Sequence, residues 1–436
     1  MNKEEKNPKM NSWIDWVQLS FVGLAAPFFL FPSIKYTWIF LIIAGTWVLR
    51  WTINKQLFPR TIIDWAIALL CIQVFATCMI VSDLSFSLPK IAGVVYGLFI
   101  FYSIVAILNS EKLIKWGVTT FLGGGLVLSI ISIFGMRLGY DSLFISVARV
   151  FCIKLEINKL YKIITQKIPK IDWNIPGAEE GFNPNAVGGV LILIIPLFLV
   201  FLISYLKRKK EEYMISQRIP ALVLLFVISI IMCSILFFTQ SISSWIGLII
   251  SIWILMVPWK WKKWSFLITF LITASLFIST PKKTASLIDA FKNDEDIAYR
   301  RILYAVGVNS ISQKPFFGIG MNQIRQDPSV SYERSHVHNH LVHTAAELGI
   351  PGLISYLSIL IGIGFMCFIV WQKSDVGWIK MTALGLGCGQ LAHLIFGMGD
   401  SIPLGAKVGL FFWFSLALIA ALYNYTIEKN IDLNRN

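Results

Sequence analysis

Apolar residues in this chain come in blocks about twenty residues long, the length a helix rising 1.5 Å per residue needs to cross roughly 30 Å of hydrocarbon. The blocks stand near 14–33, 36–52, 61–81, 89–108, 116–136, 186–206, 220–238, 241–258, 264–280, 346–370, 378–398 and 405–425. In lipid the backbone must satisfy its own hydrogen bonds, which each helix does internally. The sequence therefore predicts an all-α integral membrane protein of about twelve transmembrane helices, with residues 1–436 forming one polytopic domain. Composition agrees: 56% of residues are hydrophobic and 14% charged, against about a quarter charged in a soluble domain. Tryptophans 51, 259, 261, 264, 371 and 378 flank blocks, as an interfacial aromatic belt predicts.

The net charge of +14 belongs with basic loops beside anionic headgroups. No basic stripe with interleaved aromatics stands outside the apolar blocks, so no nucleic-acid partner is expected. With a cytoplasmic N-terminus, the cytoplasmic segments hold 20 of the 38 Lys and Arg residues, while the short external turns hold 3, Lys35, Lys90 and Lys407. The remainder fall in two long external loops, whose charge the positive-inside rule largely ignores. Both termini are thus expected in the cytoplasm. The first ten residues, MNKEEKNPKM, carry no cleavage pattern, so the first span is expected to be retained. Five of the six cysteines lie inside apolar blocks and Cys152 has no loop partner, so no disulfide framework is expected.

Two loops depart from the tight turns elsewhere. Residues 137–185 contain SLFISVARVFCIKLEINKLYKIITQKI, in which Lys mixes with Ile, Leu and Phe at helical spacing, as in a basic helix lying on a membrane surface. Residues 281–345 carry amphipathic stretches, aromatics and a PFFGIG turn, which favours an ordered and functional loop. Both loops are expected to contain short amphipathic helices.

Four of the five histidines, His336, His338, His340 and His343, fall within eight residues at the end of the second loop. Histidine suits proton abstraction near neutral pH. A solvated His-rich loop is a second reading. A metal site is a third, since alternating histidines can share one face of an extended segment, but no carboxylate or cysteine stands at tight spacing. Glu347, four residues after His343, can meet it on one helix face. Arg300 and Arg301 offer guanidinium forks suited to phosphate oxygens; adjacent on a helix, at least one of them points away, and a solvated face or headgroup contact explains the pair as well. In Asn183-Pro184-Asn185 the proline sets a turn into the sixth block, with Asn185 as a helix cap. His393 and Asp400 lie two turns apart, about 10 Å along a helix. Asp400 faces either the bundle interior, as intramembrane acids usually do, or the water interface.

Four stretches, in this order along the chain, resemble the O-antigen ligase and polymerase superfamily. GFNPNAVGGVLILIIPL (181–197) resembles the family's NPN segment, and TQSISSWIGLII (239–250) its Thr-x-Ser-Arg-Gly segment. RRILYAVGVNSISQKPFFGIGMNQI (300–324) resembles its arginine–aromatic–PxxGxG segment, with Arg300 and Tyr304 at the arginine and aromatic positions. HVHNHLVHTAAELGIPGLISYL (336–357) resembles its His-Asn…Glu-x-Gly-x-x-Gly signature, filled by His338, Asn339, Leu341, Glu347, Gly349 and Gly352. The departure is Ile242, which stands where the family commonly has arginine; Lys407 or an arginine of the first long loop is a substitute.

What the resemblance implies is a bacterial inner-membrane glycosyltransferase acting at the external face. The donor is an undecaprenyl-pyrophosphate-linked glycan and the acceptor a saccharide or lipid A-core, with a chain-length regulator or other assembly protein as a further partner. His338 is the implied base on the acceptor hydroxyl. Arg300, Arg301, Tyr304, Asn339, Glu347 and Asn185 are the implied substrate-binding residues. Inversion at the anomeric carbon follows, with no metal and no cofactor. A polymerase is favoured slightly over a ligase because the lost arginine marks a divergent member. A transporter or flippase also fits twelve spans, but the absence of an internal repeat and the concentration of polar residues in a loop count against it. A non-catalytic assembly protein is the remaining alternative.

Overall fold

The computed structural model describes residues 12–30, 38–81, 83–136, 182–207, 215–255, 295–330 and 336–435. Among them the regular structure is helical. In chain order the α-helices are α1 (Ser12–Leu30), α2 (Trp38–Asn54), α3 (Asp64–Ile80), α4 (Leu84–Ile107), α5 (Glu111–Gly135), α6 (Pro184–Lys207), α7 (Ile215–Phe238), α8 (Ile242–Leu255), α9 (Glu295–Gln313), α10 (His340–Lys373), α11 (Gly377–Gly399) and α12 (Leu410–Arg435). All but α9 coincide with an apolar block of the sequence. The ninth block, 264–280, and the basic segment of the first long loop lie outside the described residues.

Six of these helices are long and apolar enough to cross a bilayer: Leu84–Ile107, Glu111–Gly135, Pro184–Leu206, His340–Lys373, Gly377–Gly399 and the stretch Lys407–Asp432. Their side chains meet in one apolar core. Ile192, Leu193 and Ile194 of α6 and Leu416 to Leu422 of α12 are almost wholly buried there. Leu24, Leu41, Phe75, Met79 and Ile361 instead face outward, as lipid-facing positions of a membrane helix do. Small residues allow close approach: a Cβ on Gly389 would strike the Leu193 carbonyl, and one on Gly247 would lie 2.5 Å from that of Ala392, in keeping with the small-residue interfaces of membrane helices.

One ion pair is sealed between the first two helices. Arg50 Nε donates to Asp15 Oδ1 at 2.8 Å with both side chains almost fully buried, and Arg50 Nη1 reaches the carbonyls of Gln56 and Leu57. Neither residue stands apart in the sequence; the helix pairing brings them together.

The second long loop is ordered over its described part. Helix α9 leads through Lys314–Gly320 into a 3-10 turn (Gln323–Gln326) and, after residues that are not described, to the start of α10. The motifs at 300–324 and 336–357 grip each other. Ile319 and Gly320 donate backbone N–H groups to the carbonyls of Ala346 and Glu347 at 2.9 and 3.0 Å, and Ile350 N–H donates to the Pro315 carbonyl at 2.7 Å. Gly349 sits at a kink inside α10 with φ of 73°. Gly318 has φ of 68°, and a Cβ on it would lie 2.5 Å from the Glu347 carbonyl. Both positions need glycine, for left-handed backbone and for contact too close for any side chain.

Candidate functional site

The start of α10, the start of α8, the start of α6 and the end of α11 share one end of the bundle. Ser243, in the first turn of α8, lies against Gly399 at the end of α11, and Gly189 of α6 lies against Phe396 and Ile402. At this end α11 stops at Asp400, whose backbone turns to φ −151°, ψ 178°. A helix C-terminus leaves carbonyls without intrahelical partners and carries partial negative charge. Here side chains from two other elements answer it. Asn339 Nδ2 donates to the Met398 carbonyl at 3.3 Å, and Arg300 Nη1 donates to the Gly399 carbonyl at 3.0 Å.

Asp400 follows directly and is 3% exposed. Its Oδ1 accepts the Ser401 backbone N–H at 2.7 Å and lies 3.0 Å from His338 Nδ1 and 3.3 Å from His336 Nε2. The histidine segment is non-helical up to Asn339, which caps α10 by accepting the N–H groups of Leu341 and Val342 at 3.1 Å. That cap fixes the direction in which His338 enters the site. Burial alone would raise the Asp400 carboxyl, but the hydrogen bonds from His336 and His338 outweigh it and hold the group well below the usual carboxylate range. Burial pushes the His336 imidazole down to about 4, against the opposing pull of Asp400. An ionised carboxylate only accepts, so the contact at His338 Nδ1 is a hydrogen bond donated by the ring to Asp400. The side chain remains 22% exposed.

The residues named from the sequence divide three ways. His338, Asn339 and Arg300 converge on consecutive residues of one helix end. Tyr304, one turn after Arg300 on α9, is exposed on that helix, and Arg301 is exposed as well. Glu347 is buried, and both its oxygens face protein groups: Oε1 accepts the Asn322 N–H at 2.8 Å and Oε2 lies 3.4 Å from His343 Nε2. Asn185 does not cap α6. The cap is Asn183, whose Oδ1 accepts the N–H groups of Asn185 and Ala186 at 2.9 and 3.3 Å, because Pro184 occupies the first helical turn, where its missing N–H costs nothing. His393, two turns before Asp400 on α11, faces the Gly189 carbonyl with its Nδ1 at 3.1 Å.

The residue that the sequence undervalued is Asp400. It is buried in the protein, with His336 and His338 as side-chain partners. It also supplies the carboxylate that the histidines lack locally: one ligand atom each from His336, His338 and Asp400 lie within 4.8 Å of one another, a set that has the makings of a three-ligand metal site.

Residues 227–357 match the family model for O-antigen ligase. The match runs from α7 to the first half of α10 and takes in Arg300, His338, Asn339 and Glu347. This stretch is an O-antigen ligase domain. The match supports the O-antigen ligase and polymerase superfamily, whose members are glycosyltransferase-like, for this stretch of about a third of the chain, and the apolar helices fit a multi-pass membrane protein. Asp400 lies beyond the matched residues of the ligase domain, and Ile242 lies within them. Ile242 opens α8; the next residue, Ser243, lies against Gly399, whose carbonyl Arg300 reaches from α9. No curated protein matches the chain.

Proposed function

We propose that this protein is a metal-independent inverting glycosyltransferase that moves a saccharide from an undecaprenyl-pyrophosphate carrier to an acceptor hydroxyl at the external face of the bacterial inner membrane. The observation that carries this reading is the 3.0 Å contact between His338 Nδ1 and Asp400 Oδ1. A buried carboxylate behind an imidazole fixes its tautomer and stabilises the imidazolium that forms when the far nitrogen takes a proton.

In the reaction, His338 Nε2 removes the acceptor hydroxyl proton as the oxygen attacks the anomeric carbon. The bond from that carbon to the pyrophosphate oxygen breaks, the leaving group departs on the opposite face, and configuration inverts. The departing diphosphate gathers negative charge. Gly399 takes one of the five N–H donors of the Arg300 guanidinium, and its remaining donors are suited to that charge. Tyr304 and Arg301, exposed on α9, extend the surface available to the glycan. The twelve-span topology with cytoplasmic termini belongs to this reading, since it puts the shared helix end outside.

Reconstitution of the purified chain with a lipid-linked oligosaccharide and candidate acceptors tests the proposal. Wild type is expected to transfer, and His338→Ala and Arg300→Ala to lose transfer while folding normally; transfer retained by His338→Ala removes the proposed base. The polymerase version is favoured, the acceptor then being a second lipid-linked unit. Cells lacking the protein should display single repeat units; long chains stranded on carrier lipid would make it a ligase.

The gathering of His336, His338 and Asp400 supports a second reading, in which the three ligate a metal ion that activates the acceptor hydroxyl. Chelation separates the two.

A further inference from the structure

The PFFGIG turn that follows α9 points two large apolar side chains outward. Phe316 is 71% exposed and Phe317 52%. The sequence puts this turn in an external loop, yet its neighbours in the fold are apolar helices. Helix α4 is one of the six long enough to cross a bilayer, so its first turn lies near one boundary of the hydrocarbon. That first turn holds the end of the motif: Ser87 Oγ donates to the Met321 carbonyl at 2.7 Å, and Asn322 Nδ2 to the Phe86 carbonyl at 2.8 Å. Gly320, one residue earlier, packs on Thr77 and Val81 at the end of α3.

Phe316 lies deeper. Gln73 of α3 points its amide at the carbonyls of Phe316 and Leu348, 3.1 and 3.0 Å away; carbonyls only accept, so the amide nitrogen is the atom that meets them. Ser355 Oγ donates to the Ala66 carbonyl at 2.7 Å, so α3 and α10 run antiparallel, with Gln73 on the inner side of the end of α3. Gln73 stands one turn before Thr77 and two before Val81, which sets Phe316 about 6–12 Å further from the boundary than Gly320 by the helical rise.

Backbone that leaves water must find its hydrogen bonds within the protein, and this turn does. The carbonyls of Lys314 and Pro315 accept the N–H groups of Gly318 and Ile350 at 3.0 and 2.7 Å, and Ile319 and Gly320 donate to Ala346 and Glu347. The Phe316 carbonyl has Gln73. The helices that hold the turn are apolar on their outer faces too: Phe75 and Met79 of α3 and Ile350 and Ile354 of α10 are exposed. Lys314, exposed two residues before Phe316, has a stem long enough to keep its ammonium at headgroup level.

We infer that the Lys314–Gly320 turn is a re-entrant wedge whose phenylalanines, Phe316 and Phe317, enter the hydrocarbon of the leaflet on the site's side, where their partner is the acyl chains of the bilayer. The turn continues α9, which carries Arg300, and is bonded to α10 a few residues after Asn339. Its grip on the lipid therefore fixes the height of both elements against the headgroups.

Spin labels on Phe316→Cys and Phe317→Cys test the wedge, in a full chain whose six native cysteines are replaced by alanine and which is held in nanodiscs of phosphatidylcholine. Phe75→Cys on the outer face of α3 and Ser329→Cys beyond the 3-10 turn, both exposed positions, serve as references. Oxygen, which concentrates in hydrocarbon, is expected to relax the labels at 316 and 317 more than a water-soluble nickel chelate does, as at 75, with the order reversed at 329. Nickel relaxation at 316 and 317 equal to that at 329 puts the turn in water and overturns the inference. Weak relaxation there by both reagents means that protein, from this chain or a second copy, covers the phenylalanines, and overturns it as well. Because a label can displace a turn, p-benzoylphenylalanine at position 316, in the chain with its cysteines intact, gives a second measurement that keeps the ring. Illumination is expected to yield a phospholipid adduct at 316 and none at 329. Absence of a lipid adduct at 316 beside a clear one at 75 overturns the inference, and where the two measurements differ the photoadduct decides.

Discussion

Glu347 Oε1 accepts the backbone N–H of Asn322 at 2.8 Å, and Asn322 sits in left-handed backbone with φ of 67°. A carboxylate in one family motif thus fastens the turn that ends the other. Asparagine tolerates that backbone better than most residues, but its buried N–H still needs an acceptor. Glu347→Ala is expected to cost about 1–3 kcal/mol by orphaning it, read as a lower Tm in detergent, with Glu347→Gln closer to wild type. A Tm unchanged in Glu347→Ala would mean that the turn is held by other contacts.

Arg50 and Asp15 test the bundle itself. Truncating one member of a buried pair strands the other's charge, so Arg50→Ala is expected to destabilise by about 3–5 kcal/mol. Replacing both with apolar residues of similar volume should recover much of that loss. Equal stability of wild type and Arg50→Ala would show that the pair contributes nothing.

Acid should loosen the histidine segment before it titrates the carboxylate. The unfolded His336 takes a proton near its ordinary value of 6.5, whereas the folded one resists until about 4. Between those values the unfolded state binds more protons, so stability falls as pH drops through that window. Asp400, depressed in the fold, contributes stability above its ordinary value of 3.8 that is lost only at lower pH. Unfolding midpoints measured from pH 8 to 4 should decline for wild type and stay flatter for His336→Gln; parallel curves would remove His336 from the account.

Chelation distinguishes a base from a ligand. Incubation with EDTA followed by desalting is expected to leave transfer within about twofold of untreated protein, because the proposed mechanism routes its charge through protein cations. Loss of activity restored by zinc would make His336, His338 and Asp400 a metal centre.

The helices were legible because apolar blocks of membrane length have few other uses: eleven described helices fall on them, and six of these are long and apolar enough to cross a bilayer. That the histidine, asparagine and arginine of the candidate site would come together was legible through motif order. Asp400 was not, because its partner His338 stands 62 residues upstream. The signal that was present lay in topology: Asp400 ends the span that returns the chain to the side where the histidine loop stands. Asn185 was mistaken for a cap because Pro184 shifts the helix start by two residues, giving the role to Asn183. The job of Glu347 was invisible because its partner is a backbone N–H.

The central claim is that Asp400 orients His338 as a base. The most direct measurement is single-turnover transfer by Asp400→Asn against pH, beside wild type, with donor binding measured separately. Loss of a charged orienting partner is expected to slow transfer about 10³-fold to 10⁴-fold with donor affinity nearly unchanged. Transfer by Asp400→Asn within about threefold of wild type, over the same pH profile, would contradict it.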